Sequence, residues 1–183
     1  MIIGITGTIG AGKGAVVEYL KEKGFKAYSS SGILKEILTE RGHPHTREYL
    51  SNLAEELLAT YPGGVLSISL ERAKKDDVKN LILEAIHRVS EAEFVRSVGG
   101  KILGVDADLK LRYERTLARK EGAKDTVTFE QFKESSERED EGKRHLTSNI
   151  RSVIQTADAV VQNNGTLADL HAQIDAVLSE IKK

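Results

Sequence analysis

Short β-branched runs alternate with helix-period stripes along the whole of this chain. Ile2 to Thr6 is an uninterrupted apolar run, the pattern of a strand buried on both faces. Glycines follow at 7, 10, 12 and 14, and Val16, Val17 and Leu20 then sit at helical spacing up to Gly24. Lys26 to Tyr28 fits a second short strand. Ser31 is the predicted cap of a helix whose apolar positions Ile33, Leu34, Ile37 and Leu38 stop before Gly42. His43-Pro44-His45 breaks the chain, Thr46 caps a helix to Tyr61, and Pro62-Gly63-Gly64 leads into a helix over 65–75. Leu81-Ile82-Leu83 and Lys101 to Val105 are the third and fourth strands. Asp108 opens a basic helix through Lys120, and a polar connection spans Glu121 to Val127. A charged helix runs from Thr128 to Glu139, anchored by Phe129 and Phe132. Ala159 to Val161 is the fifth strand and Asn163-Asn164-Gly165 a turn. The last helix carries a core stripe of Leu167, Leu170, Ile174, Val177, Leu178 and Ile181.

Strands alternating with helices predict an α/β fold, a three-layer, doubly wound, parallel five-stranded sheet. The 183 residues include 2 prolines and no low-complexity linker, so 1–183 reads as a single domain. Net charge is −1, which gives no global field toward nucleic acid or a membrane surface. The absence of cysteine removes disulfides, thiolate metal sites and cysteine nucleophiles. The apolar start is too short for a signal peptide, and no run approaches the roughly 20 apolar residues of a membrane span, so the reading is cytoplasmic.

Gly7-Thr8-Ile9-Gly10-Ala11-Gly12-Lys13 fits G-x-x-x-x-G-K between a strand and a helix. A loop that wraps a triphosphate turns its backbone N–H groups inward, and side chains would block that approach. Glycines permit both the dihedrals and the contact. The next helix directs its positive end at the same anion, and Lys13 reaches the β- and γ-phosphates. A turn that merely joins strand to helix would explain the glycines but not a lysine at this offset. Position 14 is glycine rather than Ser/Thr, so the usual hydroxyl ligand of Mg²⁺ is missing. The expectation is ATP with Mg²⁺ held indirectly, by phosphates and water.

Gly10-Ala11-Gly12-Lys13-Gly14 resembles the loop of adenylate kinases, with Ala15 where threonine is usual. Ser29-Ser30-Ser31-Gly32-Ile33-Leu34-Lys35 is similar to the S-T-G-D-x-L-R stretch of the adenylate-kinase acceptor site. Lys35 takes the arginine position and Gly32 the aspartate position. Arg47 in His43-Pro44-His45-Thr46-Arg47-Glu48, and Glu84-Ala85-Ile86-His87-Arg88, resemble the P-T-R-E/D and D-G-I-R regions of an archaeal adenylate-kinase-related group of P-loop proteins. Arg112-Tyr113-Glu114-Arg115, Arg119, Thr128-Phe129-Glu130-Gln131-Phe132, Glu137-Arg138-Glu139 and Asn163-Asn164-Gly165-Thr166-Leu167 follow in that group's order. Dephospho-CoA kinases share the loop, Val105-Asp106-Ala107 and the Asn-x-Gly-x-Leu element, but carry Asp-x-Asp where this chain has Tyr28-Ser29-Ser30.

The resemblance implies a P-loop nucleotide kinase with a helical acceptor-binding region at 29–75 and a lid at 112–140. It would move the γ-phosphoryl group to a small nucleotide, first a (deoxy)nucleoside monophosphate and second dephospho-CoA. A nucleotide-binding switch or ATPase without a small acceptor is the alternative of another class. Gly7, Thr8, Ile9, Gly10, Ala11, Gly12, Lys13, Gly14 and Ala15 would hold the triphosphate, with Asn164 and Gly165 at the adenine. Ser30, Lys35, Arg47, His87 and Arg88 would face the acceptor. Lys13, Arg115, Arg119 and Arg138 would serve the transfer, and Glu84 would act as a base or hold magnesium through water. Each has a plainer alternative: a solvated basic face for the arginines, a surface or cap role for Glu84. His43-x-His45 reads as loop rather than metal site. The expected partners are small molecules, not nucleic acid or membrane, and the chain would act as a monomer or homodimer.

Overall fold

Ile2, Ile3 and Ile5 lie in the strand at the centre of the sheet. Strand β1 (Ile2–Gly7) is buried from Ile3 onward, and Ile3 and Ile5 are wholly enclosed. A computed structural model describes residues 1–119, 128–140 and 149–181. Within those residues β1 pairs in parallel with β3 (Leu81–Leu83) on one side and β4 (Lys101–Asp106) on the other. Strand β2 (Lys26–Ala27) flanks β3 and β5 (Ala159–Gln162) flanks β4. The order is β2-β3-β1-β4-β5, all parallel. Such sheets need both faces covered, which the near-continuous apolar strands demand.

One face is covered by α1 (Lys13–Glu22) and α9 (Leu167–Ile181), whose Val16, Val17, Leu20, Leu170, Ile174 and Leu178 pack on Ile3, Ile5, Leu103 and Val105. The other is covered by α4 (Val65–Lys75), α5 (Val89–Ser97) and α8 (Ile150–Gln155), through Leu70, Val95 and Val153 against Leu81, Leu83 and Ile102. Helices α2 (Ser30–Glu40) and α3 (Arg47–Thr60) share a small core of Leu34, Leu38, Leu53 and Leu57 beside α4. Helix α6 (Leu109–Arg119) and α7 (Phe129–Asp140) complete the described residues, with Phe132 buried and Tyr113 edge-on to Phe129.

Several sequence expectations shift in detail. The cap of α2 is Ser29, not Ser31: its side chain accepts from the Gly32 N–H at 3.2 Å. Leu167 stands outside the stripe of α9, 61% exposed, because it is the helix's first residue and has no turn beneath it. Helices α5 and α8 were not apparent from the pattern. The first shows two buried residues in nine, and the second is only six residues long. The polar segment 121–127 lies outside the described residues. No helix among those described is long and apolar enough to cross a membrane.

Asp158 joins three of these elements ahead of β5. Its carboxylate accepts from the Ile102 N–H at 2.8 Å and pairs with Lys101 at 3.2 Å and Arg96 at 3.6 Å. Burial alone would push this carboxyl up; the Ile102 N–H and the two cations more than reverse it and hold it below the usual value. A carboxyl lowered on folding stabilises above its unfolded pKa and loses that contribution as pH falls through the folded one. Asp158→Ala is therefore expected to cost ~1–2 kcal/mol at neutral pH, with the deficit shrinking below pH ~4. Thermal melts of both proteins across that range check it. A deficit that does not change with pH would assign the loss to packing.

Candidate active site

The carboxyl ends of β1, β3, β4 and β5 form one edge of the sheet, and the loop from Gly7 to Gly12 rises there before α1 begins at Lys13. In an open parallel sheet that edge is where ligands bind. Two glycines make the loop possible. Gly10 has φ 76°, and a Cβ there would lie 2.4 Å from the Arg112 carbonyl oxygen. Gly12 has φ 96°, and its Cβ would lie 2.2 Å from Asn163 Nδ2. Any other residue would be strained at both positions and would push the loop off its supports.

Those supports come from the β4–β5 side. Thr8, buried, donates its hydroxyl to Asp106 Oδ1 at 2.9 Å, and the same oxygen accepts from the Ala107 N–H at 2.9 Å. Asn163, 6% exposed, donates Nδ2 to the Ala11 carbonyl at 2.8 Å, and its backbone N–H bonds Asp106 O at 2.8 Å. Arg112, also 6% exposed, reaches Ile9 O at 3.5 Å and Ser136 Oγ of α7 at 2.9 Å. Lys13 curls back over the loop, donating Nζ to the carbonyls of Gly7 at 2.7 Å and Thr8 at 3.0 Å. That posture holds an ammonium at the loop's mouth.

Arg115 lies half-buried one turn along α6 from Arg112. Its Nη2 donates to Asn163 Oδ1 at 3.5 Å, while its Nη1 is enclosed with no hydrogen-bond partner among the described residues. A buried N–H left unpaired costs ~1–3 kcal/mol, which an anion in the loop would recover. Arg112 and Arg115 are thus not a solvated basic face. The side chain of Arg119 lies outside the described residues. Arg138 points to solvent, pairing with Glu134 at 3.4 Å.

On the other side of the loop, Glu84 directly follows β3, half-buried. Burial raises its carboxyl above the usual value, against a smaller pull from Lys21. The next residue, Ala85, holds φ 62°. The bend lets the Ile86 N–H bond Ile5 O at 3.2 Å and Ile86 O accept from Thr6 Oγ1 at 2.8 Å. Ser30 Oγ contacts the Glu84 carbonyl at 3.5 Å. Glu91 accepts from the backbone N–H groups of His87, at 2.8 Å, and Arg88, at 3.1 Å. Burial nevertheless pushes its carboxyl up. Arg88 is paired with Glu55 of α3, so its charge is already committed. Lys35 and Arg47 are exposed and carry no ion pair among the described residues. His45 bonds Thr39 at 2.8 Å and His43 stacks on Tyr49, and no group of three metal-ligating side chains occurs among the described residues.

Asn164 is bound in both directions by Asp108, at 2.8 and 3.0 Å, so its side-chain amide is already engaged. Asn163, read from sequence only as part of a turn, is the residue that touches the loop. Its signal was the run of two asparagines after a strand, which does not say which one turns inward. The cradle fits a polyphosphate by shape and donor set. For a divalent ion, Gly14 offers no hydroxyl and a Cβ there would face open space, Thr8 is already engaged by Asp106, and Glu84 is the carboxylate left at that side of the loop.

A strand–loop–helix phosphate cradle at the centre of a 2-3-1-4-5 parallel sheet defines a P-loop domain of the kinase-like kind. The family model described as "AAA domain" matches residues 3–144, and the chain belongs to that family. It is 30% identical over 183 residues to a UPF0200 protein of Sulfurisphaera tokodaii, covering 98% of this chain and 97% of the relative. It is also 30% identical over 200 residues to a dephospho-CoA kinase of Corynebacterium glutamicum, covering 98% and 96%. A crystal structure from Thermus thermophilus shares the fold with a TM-score of 0.62 at 24% identity, covering 98% of this chain and 97% of that one.

The left-handed backbone at Ala85 costs ~1–2 kcal/mol for a residue with a Cβ. Ala85→Gly is expected to raise stability by ~0.5–1 kcal/mol, the relief exceeding glycine's extra unfolded-state entropy. Urea denaturation reads the difference, and a loss of stability would show that the bend is held by something other than tolerated strain.

Proposed function

We propose that this protein transfers the γ-phosphoryl group of ATP to a small nucleotide acceptor, with a (deoxy)nucleoside monophosphate as the first reading. The observation that carries it is the pairing of a braced phosphate loop with an arginine, Arg115, whose buried Nη1 has no partner among the described residues. A loop that only bound nucleotide could use such a group to hold ground-state phosphate. A transfer site gains a donor for the charge that develops on the moving phosphoryl.

In this reading the loop amides and Lys13 hold the donor phosphates, and the ammonium exchanges the Gly7 and Thr8 carbonyls for phosphate oxygens. Arg115 closes from α6, with Arg119 and Arg138 as further lid cations over 112–140. The 29–75 region receives the acceptor. Lys35 and Arg47 offer charges not engaged in ion pairs there, and Ser30, His87 and Arg88 border the same end of the sheet. Mg²⁺, when present, would be held by phosphates and water, with Glu84 reaching it through water, and would neutralise phosphate charge. No covalent intermediate is required, because positioning and charge neutralisation carry phosphoryl transfer.

The second reading is dephospho-CoA as acceptor, favoured by full-length similarity to a dephospho-CoA kinase. A hydroxyl acceptor needs a base, and the raised carboxyl of Glu84 would supply it. The two readings separate in one assay: ADP formation from ATP against each (deoxy)nucleoside monophosphate and dephospho-CoA. Stimulation at least tenfold over the acceptor-free rate is expected with a monophosphate, and Arg115→Ala should lower that rate by ~10²–10³. Stimulation by dephospho-CoA alone selects the second reading. Slow turnover indifferent to every acceptor would overturn both and leave a nucleotide-binding switch.

A further inference from the structure

Asn163 makes contacts in three directions. Its backbone N–H is fixed to Asp106 O at 2.8 Å, which sets it at the mouth of β4 and β5. Its Nδ2 donates to Ala11 O at 2.8 Å, in the middle of the phosphate loop. Its Oδ1 accepts from Arg115 Nη2 at 3.5 Å. The orientation of the amide is dictated by those partners: a carbonyl needs the NH₂ group, and a guanidinium needs the oxygen. Gly12 packs so tightly against the same amide that a Cβ would lie 2.2 Å from Nδ2. The side chain is buried, so neither contact is shared with bulk water.

The two bonds differ in strength. The one to Ala11 is short and fixes the loop. The one to Arg115 is long and weak, and the adjoining Nη1 has no hydrogen-bond partner among the described residues. Arg115 is therefore held near the loop without being spent. A neutral amide does this where a carboxylate would not: an aspartate would face the Ala11 carbonyl without a donor and would lock the guanidinium in an ion pair.

We propose that Asn163 is a positioning residue that couples the shape of the phosphate loop to the placement of Arg115, so that a triphosphate draws on both together. The proposal rests on the phosphoryl-transfer reading above, since it needs the loop to take a triphosphate. Asn163 touches the loop and the arginine, and acts on the bound anion through them.

Binding of a fluorescent ATP analogue tests it without any acceptor. The proteins are the parent, Asn163→Ala, Asn163→Asp, Arg115→Ala and the double variant Asn163→Asp/Arg115→Ala, each checked by thermal melt. Asn163→Ala and Arg115→Ala should each weaken binding about tenfold, as for one hydrogen bond to a charged group. Asn163→Asp should weaken it about a hundredfold, because it costs the brace and captures the arginine. Removing Arg115 from the aspartate variant should then cost less than twofold more, since its contribution is already gone. Losses that multiply to within twofold, or an Asn163→Asp variant that binds like the parent, would overturn the coupling. If the aspartate variant fails to fold, the same cycle run with Asn163→Ala decides, with multiplying losses again against the proposal. A parent that binds no triphosphate would instead overturn the phosphoryl-transfer reading, and this inference with it.

Discussion

The carboxyl edge of the sheet is built around seven residues of backbone, Gly7 to Lys13, held in a shape they would not choose. Gly10 and Gly12 sit in left-handed conformations with neighbours where a Cβ would be. Such a loop is stable only if the surrounding structure over-determines it. Strand order does that work: with β1 central, the loop emerges between β3 and β4 and has walls on both sides. The β4–β5 wall contributes Thr8–Asp106, Ala11–Asn163 and Ile9–Arg112, three polar ties between buried or half-buried groups. The β3 wall contributes the Thr6–Ile86 bond and the bend at Ala85. The Ala11–Asn163 tie is fully buried and the other two partly so, which limits competition from water.

The distribution of charge follows from that division. Surface pairs such as Arg41–Glu56, Arg72–Glu36 and Lys26–Asp76 are solvent-exposed and contribute little. The charges at the sheet's carboxyl edge differ in kind. Arg112 is buried against α7, Arg115 is half-enclosed, and Glu84 and Glu91 have carboxyls raised by burial. Groups whose desolvation is only partly compensated concentrate where ligand chemistry is done. Helix α7 is tied to this edge through Ser136, which accepts from the same Arg112 that reaches the Ile9 carbonyl.

The sequence made the donor side of the site readable because its physics is local. A glycine-rich loop with lysine at a fixed offset, between a strand and a helix, is written in thirteen consecutive residues. Strands β1, β3 and β4 were equally plain, since doubly buried strands are continuous apolar runs, whereas the edge strands β2 and β5 are short and partly exposed. Asn163 was not visible in its role, because its meaning lies in a contact with Ala11 across 152 positions of chain. Arg112 looked like one more basic residue on a charged helix until the fold enclosed it. Helices α5 and α8 are short and lean on neighbours rather than on their own periodicity, and the cap at Ser29 was one of three adjacent serines. The proposed acceptor side would depend on how α2, α3 and the end of β3 come together, so single positions such as Lys35 and Arg47 carry little meaning alone.

The loop from Gly7 to Lys13 is proposed to bind a nucleoside triphosphate through its backbone and its lysine. Calorimetric titration of ATP with magnesium into the protein and into Lys13→Ala tests it most directly, with melts to confirm that both are folded. A single site with micromolar-range affinity is expected in the parent and roughly a hundredfold loss or more in the variant, as for removal of a cation from a phosphate cradle. Equal affinity in the two proteins, or no heat of binding in the parent at millimolar ATP, would contradict it.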